Sequence, residues 1–314
     1  MAPASSGPAS GSSSLLPALA AFGASVLVGS GIVATRFVIE QSDPASLALL
    51  RYAIGFACLL PLALRAPGPR FARRDLLPIA LLGIGQFGVL IALLNYGVER
   101  IPSSRGALIF AVFPLLTLIL AAVLGAERLT RYKTAGVVLS ILGVGLVLGE
   151  KLAGSGSVAS AWPGSGLFGA FAGEIAVFGS ALCGAVCSVF YRPYLERYPT
   201  LRVGAFAMLA SVLFLALPAG FEGFFDAPPR LTAGGWAAVA FIGLSSAAGY
   251  FLWLWALAHT TPTRVAMFLA VSPVTAALLG WLLLSEALSG LFLLGLACVA
   301  GGLLLAHREP GASR

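Results

Sequence analysis

The stretch Ala111-Val112-Phe113-Pro114, leading to Gly125-Ala126-Glu127-Arg128-Leu129, has a counterpart in Ala270-Val271-Ser272-Pro273, leading to Leu284-Ser285-Glu286-Ala287-Leu288. The two lie 159 residues apart, and the same offset carries Arg105 onto Arg264, Ala107 onto Ala266, Gly136 onto Gly295 and Gly143 onto Gly302. An Ala/Gly-rich chain produces some matches by chance. A Pro, a Glu and an Arg shared at a single offset mark an internal repeat.

Around these stretches the chain is too apolar for water. Of its 314 residues 59% are hydrophobic and 10% charged, with mean hydropathy +0.97, against about a quarter charged in a soluble domain. Such a composition leaves almost nothing to cover an aqueous surface, and a bilayer removes the need. Crossing the hydrocarbon core takes about twenty apolar residues in a helix, because lipid offers no partner for an unpaired amide. Ten segments meet that need, at 15–39, 45–64, 76–97, 104–124, 133–149, 172–192, 200–219, 232–257, 264–284 and 289–306. The expected fold is therefore all-α and polytopic, with ten transmembrane helices.

The repeat divides these into halves of five, 15–150 and 172–307, joined by the Gly/Ser-rich linker 151–171 and flanked by short cytoplasmic tails at 1–14 and 308–314. Five is odd, so the second half enters the membrane from the opposite side and the repeats are inverted. Inverted repeats suit secondary transport, since related halves can exchange conformations and open one central site to either side in turn.

The net charge of +7 comes from cations placed singly or in short groups between apolar runs, a loop pattern and not a phosphate-tracking face, so nucleic acid is not an expected partner. Alternate assignment of loops puts Arg65, Arg70, Arg73, Arg74 and nine other cations on the side of the N-terminus. Arg36, Arg100, Arg105, Lys151 and Arg230 fall on the other side. That bias puts both termini in the cytoplasm. Residues 1–14 lack the basic residues of a signal peptide, and the first apolar run is too long for one. Cys58, Cys183, Cys187 and Cys298 all lie inside apolar runs without His or carboxylate at zinc spacing, so neither a disulfide framework nor a metal site is expected.

Taken in order, several features resemble the EamA family of the drug/metabolite transporter superfamily. They are Gly29-Ser30-Gly31 followed by Arg36 in the first span, Arg51 in the second, Ala-Val-Phe-Pro with Glu127 after it, and Glu286 in the repeat. The match covers nearly the whole chain. It departs from the family in having Val28 where a Trp usually precedes the Gly-Ser pair, and Arg36 where a Lys is usual. The resemblance implies cytoplasmic termini, a central cavity in a bacterial inner membrane, and export or exchange of small metabolites such as amino acids and their derivatives. An importer of a vitamin, nucleoside or sugar derivative on the same fold stays open as the rival, because family membership does not name the cargo.

Intramembrane polarity marks the candidate site. Gln86 and Ser245 occupy equivalent repeat positions at mid-depth, with Ser246 and Tyr250 beyond Ser245. Each either meets a polar solute or bonds between helices. Arg51, seven residues into its span, either receives an anionic group, snorkels or pairs structurally. Asn95 and Tyr96, like Trp253 and Trp255, read as a gate or as interface anchors. Pro114 and Pro273 each remove a backbone donor and clash with the carbonyls of Phe110 and Leu269, which makes them kinks and candidate hinges.

Glu127 and Glu286 at span ends read as structural groups bonding loop backbone. Glu174 begins the sixth span, but no Asp or Glu lies well inside a span, so the sequence offers no convincing proton or sodium site and facilitated diffusion or exchange stays open beside proton coupling. Gly145 and Gly149 form a Gly-x-x-x-Gly read as internal packing, with a homodimer seam as the alternative and a monomer sufficient. The expected partners are a small solute and membrane lipid, and no cofactor is expected. An enzyme would need a catalytic constellation; His259 and His307 near span ends supply none. A channel would need charge rings or filter loops, which the sequence also lacks.

Overall fold

The computed structural model describes residues 15–125, 130–153, 169–227, 229–259 and 268–306. The expected tails, most of the 151–171 linker, Glu127 and Arg264 lie outside them. Among the described residues there are ten spans. Eight are long apolar helices: α1 (Leu15–Gln41), α2 (Pro44–Arg65), α3 (Arg73–Arg100), α4 (Ser103–Val123), α5 (Arg131–Glu150), α6 (Ala172–Arg197), α7 (Thr200–Phe221) and α8 (Ala233–Trp253). Two are shorter, α9 (Val271–Leu284) and α10 (Gly290–Ala306). The protein is an all-helical membrane protein of two inverted five-helix repeats. Leu64, Leu217, Phe221 and Leu283 stand exposed on its outer wall, as a lipid solvent allows.

The halves pack against one another through glycines at repeat-equivalent positions. A Cβ on Gly143 would come within 2.6 Å of the Gly295 carbonyl, and one on Gly295 within 2.7 Å of the Gly143 carbonyl. Gly136 and Gly302 stand against each other's carbonyls in the same way. Small residues let the backbones of α5 and α10 approach where lipid supplies no hydrophobic drive. Gly145 and Gly149, by contrast, face open space with nothing within 4 Å. The reading of that pair as internal packing is corrected: the close approach is shifted round the helix to Gly136 and Gly143, and spacing alone does not say which glycine pair faces the neighbour.

Helix starts are capped across the halves. The first amides of a helix have no intrahelical partner, and neither Asp43 before α2 nor Pro102 before α4 supplies a side-chain cap. Glu222, just past α7, instead accepts from the Ala45 amide (2.9 Å), the Ser46 amide (2.7 Å) and the Ser46 hydroxyl (2.7 Å). Glu286, just past α9, accepts from the amides and hydroxyls of both Ser103 and Ser104 at 2.6–3.0 Å. A carboxylate there also complements the positive end of the helix dipole. Ser285 adopts a left-handed turn (φ 53°) that reverses the chain after α9 and aims Glu286 at α4. Gly280 leaves the room, since a Cβ there would lie 2.7 Å from Glu286 Oε2 and 2.9 Å from Ser103 Oγ. Gln41 does likewise for α8, accepting from the amide and hydroxyl of Thr232 at 2.9 and 3.0 Å.

On the opposite face Tyr198 donates to Asp75 at 2.7 Å and accepts from the Ala72 amide at 3.1 Å, tying the start of α3 to the end of α6.

Candidate functional site

Regular helix is interrupted at mid-membrane in α3 and in α4, and α9 opens on a 3-10 turn. α3 widens into a π-helical stretch over Ile84–Val89, which contains Gln86. Single π turns of this kind are often found at functional sites, because they free backbone groups and re-aim side chains. Here Gly85 offers its carbonyl to the Cys183 thiol of α6 at 3.4 Å. α4 is interrupted between Phe110 and Phe113, with Pro114 in the first turn of the resumed helix. α9 likewise begins its α-helical part at Val271, two residues before Pro273, after a 3-10 turn over Phe268–Ala270.

Arg51 meets the other half at the level of α8. Its Nε donates to Ser246 Oγ at 2.7 Å, and Ser246 in turn donates to the Ile242 carbonyl at 2.7 Å. Ser245, 6% exposed, donates to the same carbonyl at 3.0 Å. Gly31 of α1 closes the group: a Cβ there would lie 3.8 Å from both Arg51 Nη2 and Ser245 Oγ. The two glycines of Gly29-Ser30-Gly31 thus serve different neighbours, Gly29 lying against the Ser272 carbonyl and Thr275 of α9, and Gly31 facing Arg51.

An aromatic chain leads from this group to the π stretch. Tyr52 and Phe87 meet edge to face at 5.3 Å between centroids, and Phe87 and Tyr250 at 5.9 Å. Tyr250 lies against Gly204 of α7, where any Cβ would collide with its ring. Near the π stretch several buried oxygens have no hydrogen-bond partner, among them Gln86 Oε1, Tyr191 OH and Ser211 Oγ. An orphaned polar atom in a membrane interior costs several kcal/mol, so each wants a water or solute group.

Arg51, Ser245 and Ser246 are brought together, and Tyr250 meets Phe87, the residue after Gln86 in α3. Asn95 and Tyr96 stand apart. Asn95 is fully buried and donates to the Pro44 carbonyl at 2.9 Å, its Oδ1 left unpartnered. Tyr96 is 38% exposed on the outer wall with the Arg100 guanidinium 3.5 Å above its ring. Trp255 stacks on His259 at 4.2 Å. The sequence reading misses Tyr52, Phe87 and Ser211, a serine hydroxyl inside an apolar run being the available signal for the last, and it takes Tyr191, with Tyr194 beside Arg192, as a gate or an interface anchor.

Neither of two surface cavities is lined by the Arg51 group or Gln86. One, about 530 Å³, lies among Glu40, Asp43, Ser46, Glu99 and Glu222. The other, about 1300 Å³, is an apolar groove along α1, α9 and α10 past Phe22, Val274 and Leu304. Tyr52, Phe87 and Tyr250 instead form a continuous edge-to-face chain between α2, α3 and α8.

The comparisons with known proteins agree with the architecture. A probable terminal-alkyne amino-acid exporter from Streptantibioticus cattleyicolor is 30% identical over 295 residues, covering 91% of each chain. An uncharacterized transporter from Archaeoglobus fulgidus is 28% identical over 86% of this chain and 94% of that one. A solved crystal structure superposes with a TM-score of 0.63 at 22% identity over 92% of this chain and 96% of that one, a likeness of fold. Residues 15–149 and 171–308 each match the EamA-like transporter family, and the chain belongs to that family.

Proposed function

We propose that this protein is a secondary carrier that exports or exchanges small polar metabolites, of the class of amino acids and their derivatives. The two halves alternate in opening one site that lies between them, in a bacterial cytoplasmic membrane with both termini on the cytoplasmic side. The observation that carries the reading is the half-buried polar group at the junction of the halves, where Arg51 of the first bonds Ser246 of the second beside the ring of Tyr52. Polar and charged groups at that depth are costly and mark substrate paths. The inverted repeat supplies the two-state scaffold. The interruption just before Pro114 in α4 and the 3-10 turn just before Pro273 in α9 are places where these helices can flex, since neither proline nitrogen can donate a helical hydrogen bond. The relative from Streptantibioticus cattleyicolor, a probable terminal-alkyne amino-acid exporter of comparable length, supports this class of cargo.

The test is flux into proteoliposomes reconstituted with the purified chain, using a labelled panel of amino acids, nucleosides, vitamins and sugars, with and without a pH gradient. Accelerated movement of one or more amino acids over empty vesicles supports the reading. Transport of only nucleosides, vitamins or sugars replaces it with the rival cargo.

A further inference from the structure

We infer that Arg51 is the receptor for a carboxylate on the cargo, and that Ser246 is the residue that aims it. The inference rests on the carrier reading and narrows it to solutes bearing a free carboxylate.

Arg51 sits seven residues into α2, about 10 Å along the helix from Pro44. A guanidinium keeps its proton in proteins, so its charge must be compensated at that depth. Elsewhere among the described residues, cations with ion pairs have carboxylates close by: Arg36 has Glu40 at 3.0 Å, Arg105 has Glu174 at 3.5 Å and Arg192 has Glu196 at 3.2 Å. No described carboxylate lies within 4.0 Å of Arg51. Its neighbours are neutral: the Ser246 hydroxyl on Nε, the Tyr52 ring 5.7 Å from the guanidinium carbon, and the open backbone of Gly31. A charge left without a counter-ion in a low-dielectric interior is a standing cost that an anionic ligand relieves.

The geometry also says how a carboxylate is met. Nε is taken by Ser246, so the two terminal nitrogens remain as a parallel pair of donors, the arrangement that grips a carboxylate in two-point fashion. Ser246 is fixed for its role because its proton goes to the Ile242 carbonyl and its lone pair to Arg51. Gly31 keeps the facing wall free of a side chain. Because Arg51 and Ser246 belong to different halves, movement of the halves re-aims the fork, so binding and release of the carboxylate follow the conformational change.

The test is equilibrium binding to the full-length chain purified in detergent, at fixed ionic strength. The probes are L-alanine, L-leucine and L-phenylalanine, each against its own carboxamide, which keeps the ammonium and side chain and removes only the anion. At least one acid should bind roughly tenfold or more tightly than its amide, the range expected for a charge-assisted pair. Arg51→Gln should abolish that preference, Arg51→Lys should keep part of it, and Ser246→Ala should cut it several-fold with Ser246→Thr restoring it. Equal binding of acid and amide in all three pairs overturns the assignment, as does a preference that survives in folded Arg51→Gln. The wild-type comparison stands even if a variant fails to fold. Flux of an amino-acid amide as fast as its acid would leave the carrier and remove Arg51 from cargo recognition.

Discussion

The Ser140 hydroxyl donates to the Val299 carbonyl at 3.4 Å, and the two residues are repeat equivalents, 159 apart in the chain. A contact between equivalents lies close to the axis that relates the halves. With Gly136 against Gly302 and Gly143 against Gly295 on either side, α5 and α10 form the seam about which the repeat is built.

Substituting that seam should unsettle the whole fold. Gly143→Val and Gly295→Val each drive a side chain into a backbone carbonyl that cannot retreat, at a cost of about 1–3 kcal/mol. Gly145→Ala and Gly149→Ala meet open space and should stay within about 0.5 kcal/mol of the parent. Thermal unfolding of the four variants in detergent checks the contrast. Equal loss at all four positions would mean the open pair is covered by a second copy of the chain.

Glu286 should matter to stability more than its place at a span end suggests. Glu286→Ala strips the amides and hydroxyls of Ser103 and Ser104 of their shared acceptor, at a cost of about 2 kcal/mol. Glu286→Gln keeps one acceptor oxygen and should lose less. Glu222→Ala should behave similarly through α2, and melting temperatures of the three variants give the order.

Gln86→Ala and Ser245→Ala should each reduce transport without reducing membrane abundance. The Gln86 carbonyl oxygen has no protein partner to lose, so its removal should be stability-neutral or slightly stabilising, while flux falls if it meets cargo. Initial rates in proteoliposomes normalised to protein content check this. Unchanged flux for both would remove them from the site.

The fold was legible because lipid leaves the chain few choices. Every run of about twenty apolar residues must be a helix, and the shared Pro, Glu and Arg exposed the repeat. The structural reading of Glu286 followed from its repetition, and the structure supplies its partners. The site was legible in part. Arg51, Ser245 and Ser246 were marked by polarity in an apolar setting, which depends only on composition. Asn95 and Tyr96 looked alike in sequence yet face opposite ways, because adjacent helical residues point about 100° apart and no amphipathic pattern distinguishes core from lipid here. The π stretch around Gln86 was beyond reach, since one extra residue in a turn leaves no periodic trace in so uniformly apolar a helix. Tyr52 and Phe87 were hidden for the same reason: among 20 phenylalanines and 7 tyrosines nothing local separates a ring at the junction of the halves from one facing lipid.

The central claim is that the half-buried group around Arg51 opens to each side of the membrane in turn. Gly31→Cys, in a chain whose four native cysteines are replaced by alanine, places a Cβ 3.8 Å from Arg51 Nη2 and from Ser245 Oγ and so a thiol beside the group. The direct measurement is the rate at which a membrane-impermeant cationic thiosulfonate modifies that thiol when added to the outside or to the inside of reconstituted vesicles. Alternating access predicts modification from both sides, slowed by the amino acid that the protein moves. Modification from one side only, or from neither in a chain that still transports, would contradict it.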